Sequence, residues 1–202
     1  MIEAVRPRLL VLLAVLSFLY ATLGLVAALA SLATLTGSHD AFTSEVRRQA
    51  DKLVPKPEAG KPVPGDELST VATRKAEALW TRRGQVLPLA GASLIACMLI
   101  TLGVTRLCGP AITRRAWGRS AWQLGCLVSL PIIAMQTLVE LAHARDLAAA
   151  ITDLSGPFAT SLKDVQLASA VVWLRSAVAA TFALGVAAYL NGRPVRAYTG
   201  EA

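Results

Sequence analysis

Four long apolar runs set the strongest limit on how this chain folds. They cover residues 9–35, 86–107, 121–142 and 167–190. A helix needs about 20 apolar residues to cross a hydrocarbon layer about 30 Å thick, and each run is long enough. The runs are continuous rather than alternating and are rich in Leu and Ala, which favours helices over the strands of a membrane barrel. The sequence therefore predicts an all-α membrane protein with four transmembrane helices.

The charged residues lie mostly outside these runs. Only 16% of the residues are charged, against about 25% in a typical soluble domain. Bases far outnumber acids at the two termini and around the loop between the second and third runs, where the acids are Glu3 and Glu201. These bases are Arg6, Arg8, Arg106, Arg114, Arg115, Arg119, Arg193 and Arg196. Because cytoplasmic loops are enriched in arginine, we expect segments 1–8, 108–120 and 191–202 in the cytoplasm.

The net charge of +7 is accordingly interpreted as a topology signal, with contacts to anionic lipids rather than to nucleic acid. The expected location is a bacterial-type inner membrane, crossed several times with both termini in the cytoplasm. The first run also resembles a signal peptide, since Ala28-Leu29-Ala30 is similar to a cleavage site. Its apolar stretch is about twice the usual length of such a signal, which favours an uncleaved span.

The outer segment 36–85 is predicted to form a helical extracytoplasmic protrusion between helices 1 and 2 of an up-down bundle. Ser38 and Asp40 are candidate caps of a helix that ends near Leu53. A second helix is expected over residues 67–83, and a proline-rich tip separates the two. Gly84 and Pro88 are the expected hinge into the second span. The protrusion is either a sensing or docking surface or a plain solvated connector, whereas the second outer loop, 143–166, is short.

Two charges interrupt the apolar runs, Glu140 in the third and Arg175 in the fourth. Charges inside a bilayer are costly and tend to face a partner or a cavity. At 1.5 Å per residue the two lie at similar heights in the outer half of the membrane, so we expect an intramembrane ion pair. That pair either fixes the helix register or serves a ligand cavity or proton path; the alternative is that the long side chain reaches the membrane surface without pairing.

Both histidines of the chain fall at the predicted outer edge of the membrane. His39 and Asp40 follow the first span, and His143 and Asp146 follow Glu140 on one helical face. Imidazole and carboxylate groups together bind divalent ions or titrate near neutral pH. The pattern is compatible with a metal site, with a pH-sensitive site, or with ordinary interfacial polar residues.

Two further groups of residues have a candidate role. Gln136 and Ser129 flank Pro131 in the third run and indicate a polar pocket, a hinge or a tolerated kink. The link before that run is predicted to anchor the protein to lipid headgroups, because arginines bind phosphate and tryptophans favour the interface. The anchor residues are Arg114, Arg115, Trp117, Arg119 and Trp122. The cysteines Cys97, Cys108 and Cys126 are expected to be buried thiols.

The sequence favours a non-enzymatic function. It has no glycine-rich phosphate loop, HExxH motif or GxSxG motif, and no cofactor is predicted. The leading interpretation is a small membrane protein that senses, scaffolds or assists a protein partner, or a second copy of itself, through the protrusion. One alternative is an oligomeric transporter or channel subunit that uses Glu140, Gln136 and Arg175. Another is a metal-dependent membrane enzyme at the outer interface.

Overall fold

The computed structural model describes residues 8–53, 73–74, 76–77, 80–109, 115–151 and 165–200. These residues form helices and short turns, with no strand among them. The helices are α1 (Arg8–Leu35), α2 (His39–Leu53), α3 (Arg83–Cys108), α4 (Arg115–Ile151), α5 (Val165–Leu190) and α6 (Arg193–Thr199). Residues 73–74, 76–77 and 80–81 are helical as well.

Four of these helices, α1, α3, α4 and α5, are long and apolar enough to cross a membrane. The predictions of an all-helical fold and of a multi-pass membrane protein are therefore confirmed. The α4 helix has 37 residues and is about 55 Å long at 1.5 Å per residue. Because the hydrocarbon layer is only about 30 Å thick, α4 also extends well outside it.

The exposed surface of α1 is the reverse of what a soluble helix presents. Its large side chains point outward, and Leu23 and Val26 are 71% and 63% exposed. Its buried positions instead recur at intervals of three, four or seven residues and are mostly small. These positions are Leu10, Ala14, Ser17, Ala21, Ala28 and Leu35. Such an arrangement suits hydrocarbon, where large apolar side chains face lipid and small ones let helices approach closely.

The chain divides into two compact units. The first contains the described residues of Met1–Ala30, Pro88–Gln136 and Arg175–Ala202. Its core takes buried side chains from α1, α3, α4, α5 and α6. The largest fully buried side chains of this core are Trp122, Leu10, Leu107, Leu190, Val186 and Val195.

The second unit contains the described residues of Ser31–Leu87 and Thr137–Leu174. It includes α2, which starts after a short non-helical turn at residues 36–38. The Ser38 hydroxyl accepts a hydrogen bond from the Ala41 amide at 3.3 Å, which satisfies one of the free N–H groups at the start of a helix. Leu35 and Ala76 are buried in this unit.

The α3 helix begins one residue before the expected hinge and continues through Gly84 and Pro88. The turn lies instead at Arg82, whose carbonyl accepts hydrogen bonds from the amides of Gln85 and Val86. Pro88 is the sixth residue of α3, and its missing N–H leaves the Gly84 carbonyl without its usual helical hydrogen bond. The tip 54–72 and the loop 152–164 lie outside the described residues.

Glycines bring α3 and α4 into contact at the level of their backbones. A Cβ atom added to Gly118 would lie 2.5 Å from the Leu107 amide nitrogen, and one added to Gly125 would lie 3.0 Å from the Ala96 carbonyl oxygen. A Cβ atom added to Gly103 would overlap the backbone of Trp122. Gly118 and Gly125 are seven residues apart, as are Ala96 and Gly103. This spacing places the small residues of each helix along one seam.

We expect the substitution Gly118→Ala to destabilise the protein by about 1–3 kcal/mol, because the added methyl group forces two backbones apart. The matched control is Gly91→Ala on α3, where an added Cβ atom meets nothing within 4 Å. There the higher helix propensity of alanine should leave stability unchanged or raise it by up to about 1 kcal/mol. The measurement is reversible unfolding in mixed detergent micelles. Equal effects of the two substitutions would contradict the close seam.

Candidate functional site

Trp80 is the centre of an aromatic group in the second unit. The ring centroids of His39 and Phe42, both on α2, lie 5.1 and 5.6 Å from the ring of Trp80. The guanidinium carbon of Arg83, the first residue of α3, lies 4.7 Å from the Trp80 ring centroid. We call His39, Phe42, Trp80 and Arg83 the Trp80 cluster. It joins the start of α2 to the chain that enters α3, and these two points are about 40 residues apart in sequence.

The exposed side of α2 is polar and charged. The Asp40 carboxylate is fully exposed and lies 3.9 Å from the His39 imidazole, which is too far for a hydrogen bond. Glu45 and Arg48 form an ion pair at 2.8 Å, one turn apart on the same helix. Exposed pairs of this kind contribute at most about 1 kcal/mol to stability. They are typical of a solvated surface.

The residues of the expected metal site are distributed over α2 and α4. His39 packs on Trp80, and His143 is half-buried in α4. Asp146 also belongs to α4, but its side chain lies outside the described residues. Among the side chains that the structure does describe, no three of His, Cys, Asp and Glu come together as ligands. The metal site stays a prediction.

Glu140 and Arg175 lie on different helices, as expected. Glu140 is half-buried on α4 and belongs to the second unit, whereas Arg175 is exposed on α5 and belongs to the first. Tyr20 of α1 packs on Phe182 of α5, with ring centroids 6.2 Å apart. The pairing of Glu140 with Arg175 stays a prediction.

Gln136 links α4 to α3. Its Nε2 atom donates a hydrogen bond of 2.9 Å to the Ser93 hydroxyl, which donates one of 2.7 Å to the Leu89 carbonyl oxygen. Ser129, seven residues before Gln136, is buried and donates to the Gly125 carbonyl oxygen of its own helix at 2.7 Å. The α4 helix continues through Pro131 between them. Both polar side chains therefore have partners within the α3–α4 seam.

The expected lipid anchor divides into exposed and buried residues. Trp117 is 54% exposed, in keeping with a place among headgroups, but Trp122 is completely buried in the core of the first unit. Trp122 is buried because Gly103 lets its backbone approach α3. Arg115 and Arg119 are half-buried, and Arg114 lies outside the described residues.

Two features of the structure were not expected from the sequence. One is the aromatic packing around Trp80, which no motif in the sequence indicates. The other is α6, which forms where a cytoplasmic tail was expected and packs Val195 and Tyr198 into the first unit. The sequence does contain a signal for α6: Pro194 lies near its start, the apolar residues Val195 and Tyr198 are three residues apart, and Gly200 follows its end.

Replacing Gln136 by methionine should cost about 0.6 kcal/mol of stability, the average for hydrogen bonds between membrane helices, and at most about 1.7 kcal/mol. Adding Ser93→Ala to Gln136→Met should then cost little more, since the shared bond is already lost. The control is Gln123→Met, which changes an amide on the same helix for which the structure shows no bond to another helix. Unfolding in detergent micelles measures all of these variants. If the losses of the two single substitutions add in full, the contact is not an effective bond.

Comparison with known proteins identifies no relative. No protein-family model, no curated protein and no solved structure matches the chain. Its function is therefore inferred from its own residues.

Proposed function

We propose that the protein is an up-down bundle of four membrane helices that binds or senses a partner through its extracytoplasmic segment, residues 36–85, without catalysis. The observation that carries this proposal is the Trp80 cluster. Both termini lie in the cytoplasm of a bacterial-type inner membrane in this proposal. The partner is a protein or a second copy of the chain.

The packing within the first unit supports a bundle. The α1 helix contacts α5 through Tyr20 and Phe182, and it contacts α3 where a Cβ atom on Gly24 would lie 2.6 Å from the Cys97 sulfur. The α4 helix contacts α3 through the glycine seam. It also contacts the end of α5, where the Leu190 carbonyl oxygen accepts a hydrogen bond from Arg119 at 3.4 Å. These four contacts join neighbouring helices in a closed order, α1–α3–α4–α5, which is the order of an up-down bundle.

The Trp80 cluster supports a docking surface over a plain connector. A connector needs only polar residues and length, whereas aromatic contacts of this kind stabilise a defined geometry by about 0.5–1.5 kcal/mol each. Because His39 and Phe42 pack on Trp80, the opposite side of α2 is held outward in a fixed orientation. That side presents Ser44 and Arg48, which are exposed. A rigid polar helix loses less entropy on binding than a flexible loop does.

The transport alternative has less support from the same residues. Gln136 is engaged with Ser93, so its amide helps to join two helices instead of lining an open path. The glycine seam also brings α3 and α4 too close together for a solvent-filled gap along the described contact. No observation favours the metal-dependent enzyme over partner binding.

A photo-activated crosslinking residue at Ser44 tests the proposal in native membranes. We expect one discrete protein adduct from Ser44 and none from the control position Leu23, which faces outward from α1 at 71% exposure. The substitution Trp80→Ala should reduce the Ser44 adduct several-fold, because α2 then loses its fixed orientation. Phe42→Tyr, which keeps an aromatic ring against Trp80, should preserve the adduct.

Two results would contradict the proposal. One is the absence of any discrete adduct from Ser44 in native membranes at normal expression. The other is an adduct of equal yield with and without Trp80, which would mean that the geometry of the outer segment is irrelevant to binding.

A further inference from the structure

We propose that the core of the first unit binds one water molecule between Ser17 of α1 and Trp122 of α4. The water accepts a hydrogen bond from the indole Nε1–H of Trp122 and bonds to the Ser17 hydroxyl. Both residues belong to the first unit, so this site is independent of partner binding by the outer segment.

The two polar groups are buried without a partner. Ser17 is only 1% exposed, and Trp122 is completely buried. Neither the Ser17 Oγ atom nor the Trp122 Nε1 atom has a hydrogen-bond partner among the described residues. Buried polar atoms in proteins are nearly always bonded, to other protein atoms or to ordered water, and leaving one without a bond is costly. Both groups therefore require a partner that the described side chains do not supply.

Ser17 differs from the other buried or half-buried hydroxyls of the membrane helices. A serine or threonine inside a helix commonly donates a hydrogen bond to the carbonyl oxygen one turn earlier. Ser93, Thr101 and Ser129 do so, at 2.7, 2.9 and 2.7 Å. The Ser17 hydroxyl makes no such bond, so both its donor and its acceptor capacity are available to a ligand in the core.

Trp122 approaches α3 at Gly103, where an added Cβ atom would overlap the tryptophan backbone. Because its side chain is completely buried, the indole lies on the inner side of the α3–α4 seam. Cys126 follows four residues later on α4, and its thiol lies beside the indole. Sulfur is a weak acceptor, and this contact does not give Nε1 a hydrogen bond of normal geometry. The Cys126 sulfur is therefore a weak third partner for the water.

The packing of α1 on α3 brings Ser17 to the same level. A Cβ atom on Gly24 would lie 2.6 Å from the Cys97 sulfur, so these two residues face each other. The end of α1 and the start of α3 both belong to the second unit, and the remainder of each helix belongs to the first, so the two helices run in opposite directions. Seven residues make two helical turns and return to the same face. Ser17, seven residues before Gly24, therefore lies opposite Val104, the neighbour of Gly103.

Water fits the chemistry of these groups better than other ligands do. The indole N–H only donates, so it cannot coordinate a metal ion. A carboxylate or phosphate would bring an unpaired charge into an apolar core, which is very costly. One water molecule accepts from the indole and also bonds to a hydroxyl, and buried waters typically make about three such bonds. The ligand is therefore small, neutral and able both to donate and to accept.

An experimental structure of the full chain, at a resolution that shows ordered waters, tests the proposal directly. We expect one ordered water within about 3.2 Å of both the Ser17 Oγ atom and the Trp122 Nε1 atom. A direct hydrogen bond between these two atoms would overturn the proposal, as would the lack of any ordered water between them.

Unfolding in detergent micelles gives a second test. Ser17→Ala removes one partner of the water and leaves the indole N–H unsatisfied, so we expect the unfolding equilibrium constant to rise about tenfold. In the Trp122→Phe background, which has no indole N–H, the same substitution should change the constant by less than about threefold.

The matched control is Ser129→Ala, which removes another buried hydroxyl, one that bonds within its own helix. Ser129→Ala should change the unfolding constant by the same factor in both backgrounds, because it shares no partner with Trp122. Equal effects of Ser17→Ala with and without the indole N–H would contradict a shared water. Should Trp122→Phe fail to fold, the structure of the native chain decides between the outcomes.

Discussion

Close approach of backbones is the constraint on which this structure depends. Lipid tails are as apolar as leucine, so burying leucine between helices gives membrane helices little advantage, and they associate where small residues allow close packing. Gly103, Gly118 and Gly125 allow that contact between α3 and α4, to the point where an added methyl group would overlap backbone atoms. On α1, Ala14, Ala21 and Ala28 mark a similar narrow seam, while the large side chains face outward. The hydrogen bond from Gln136 to Ser93 then helps to fix the orientation of α4 on α3, in a contact that is otherwise mainly steric.

The sequence was sufficient to predict the membrane helices, but it was not sufficient to predict how they pack against one another. Long uncharged runs identify a membrane span because each exposed charge there is costly, and length and composition alone decide the matter. Packing depends instead on which small residues face a neighbour, and in an alanine-rich chain small residues recur everywhere. Trp122 illustrates the difficulty. As a tryptophan beside arginines it is typical of the interface, yet Gly103 on another helix makes room for it in the core.

The candidate sites also contain features that the sequence predicts and features that it does not. The polar cap of α2 at Ser38 follows from local hydrogen bonding, which the sequence expresses directly. The contact of His39 and Phe42 with Trp80 joins residues about 40 positions apart, and no local pattern indicates it. The two units also differ in charge, since every acid that the structure describes belongs to the second. The described charges of the first unit are all arginines, whereas the second unit has both acids and bases.

The most direct test of the account measures whether the outward side chains of the four long helices lie in hydrocarbon. Nitroxide labels are attached singly at Leu19, Ile95, Leu127 and Val178 in vesicles, in a variant whose native cysteines are alanine. Collision rates with oxygen and with a water-soluble nickel complex are then compared with those of a label at Ser44 on α2. Four membrane spans predict frequent collisions with oxygen and rare collisions with nickel at all four positions, and the opposite at Ser44. Nickel collisions at any of the four positions as frequent as those at Ser44 would contradict the account.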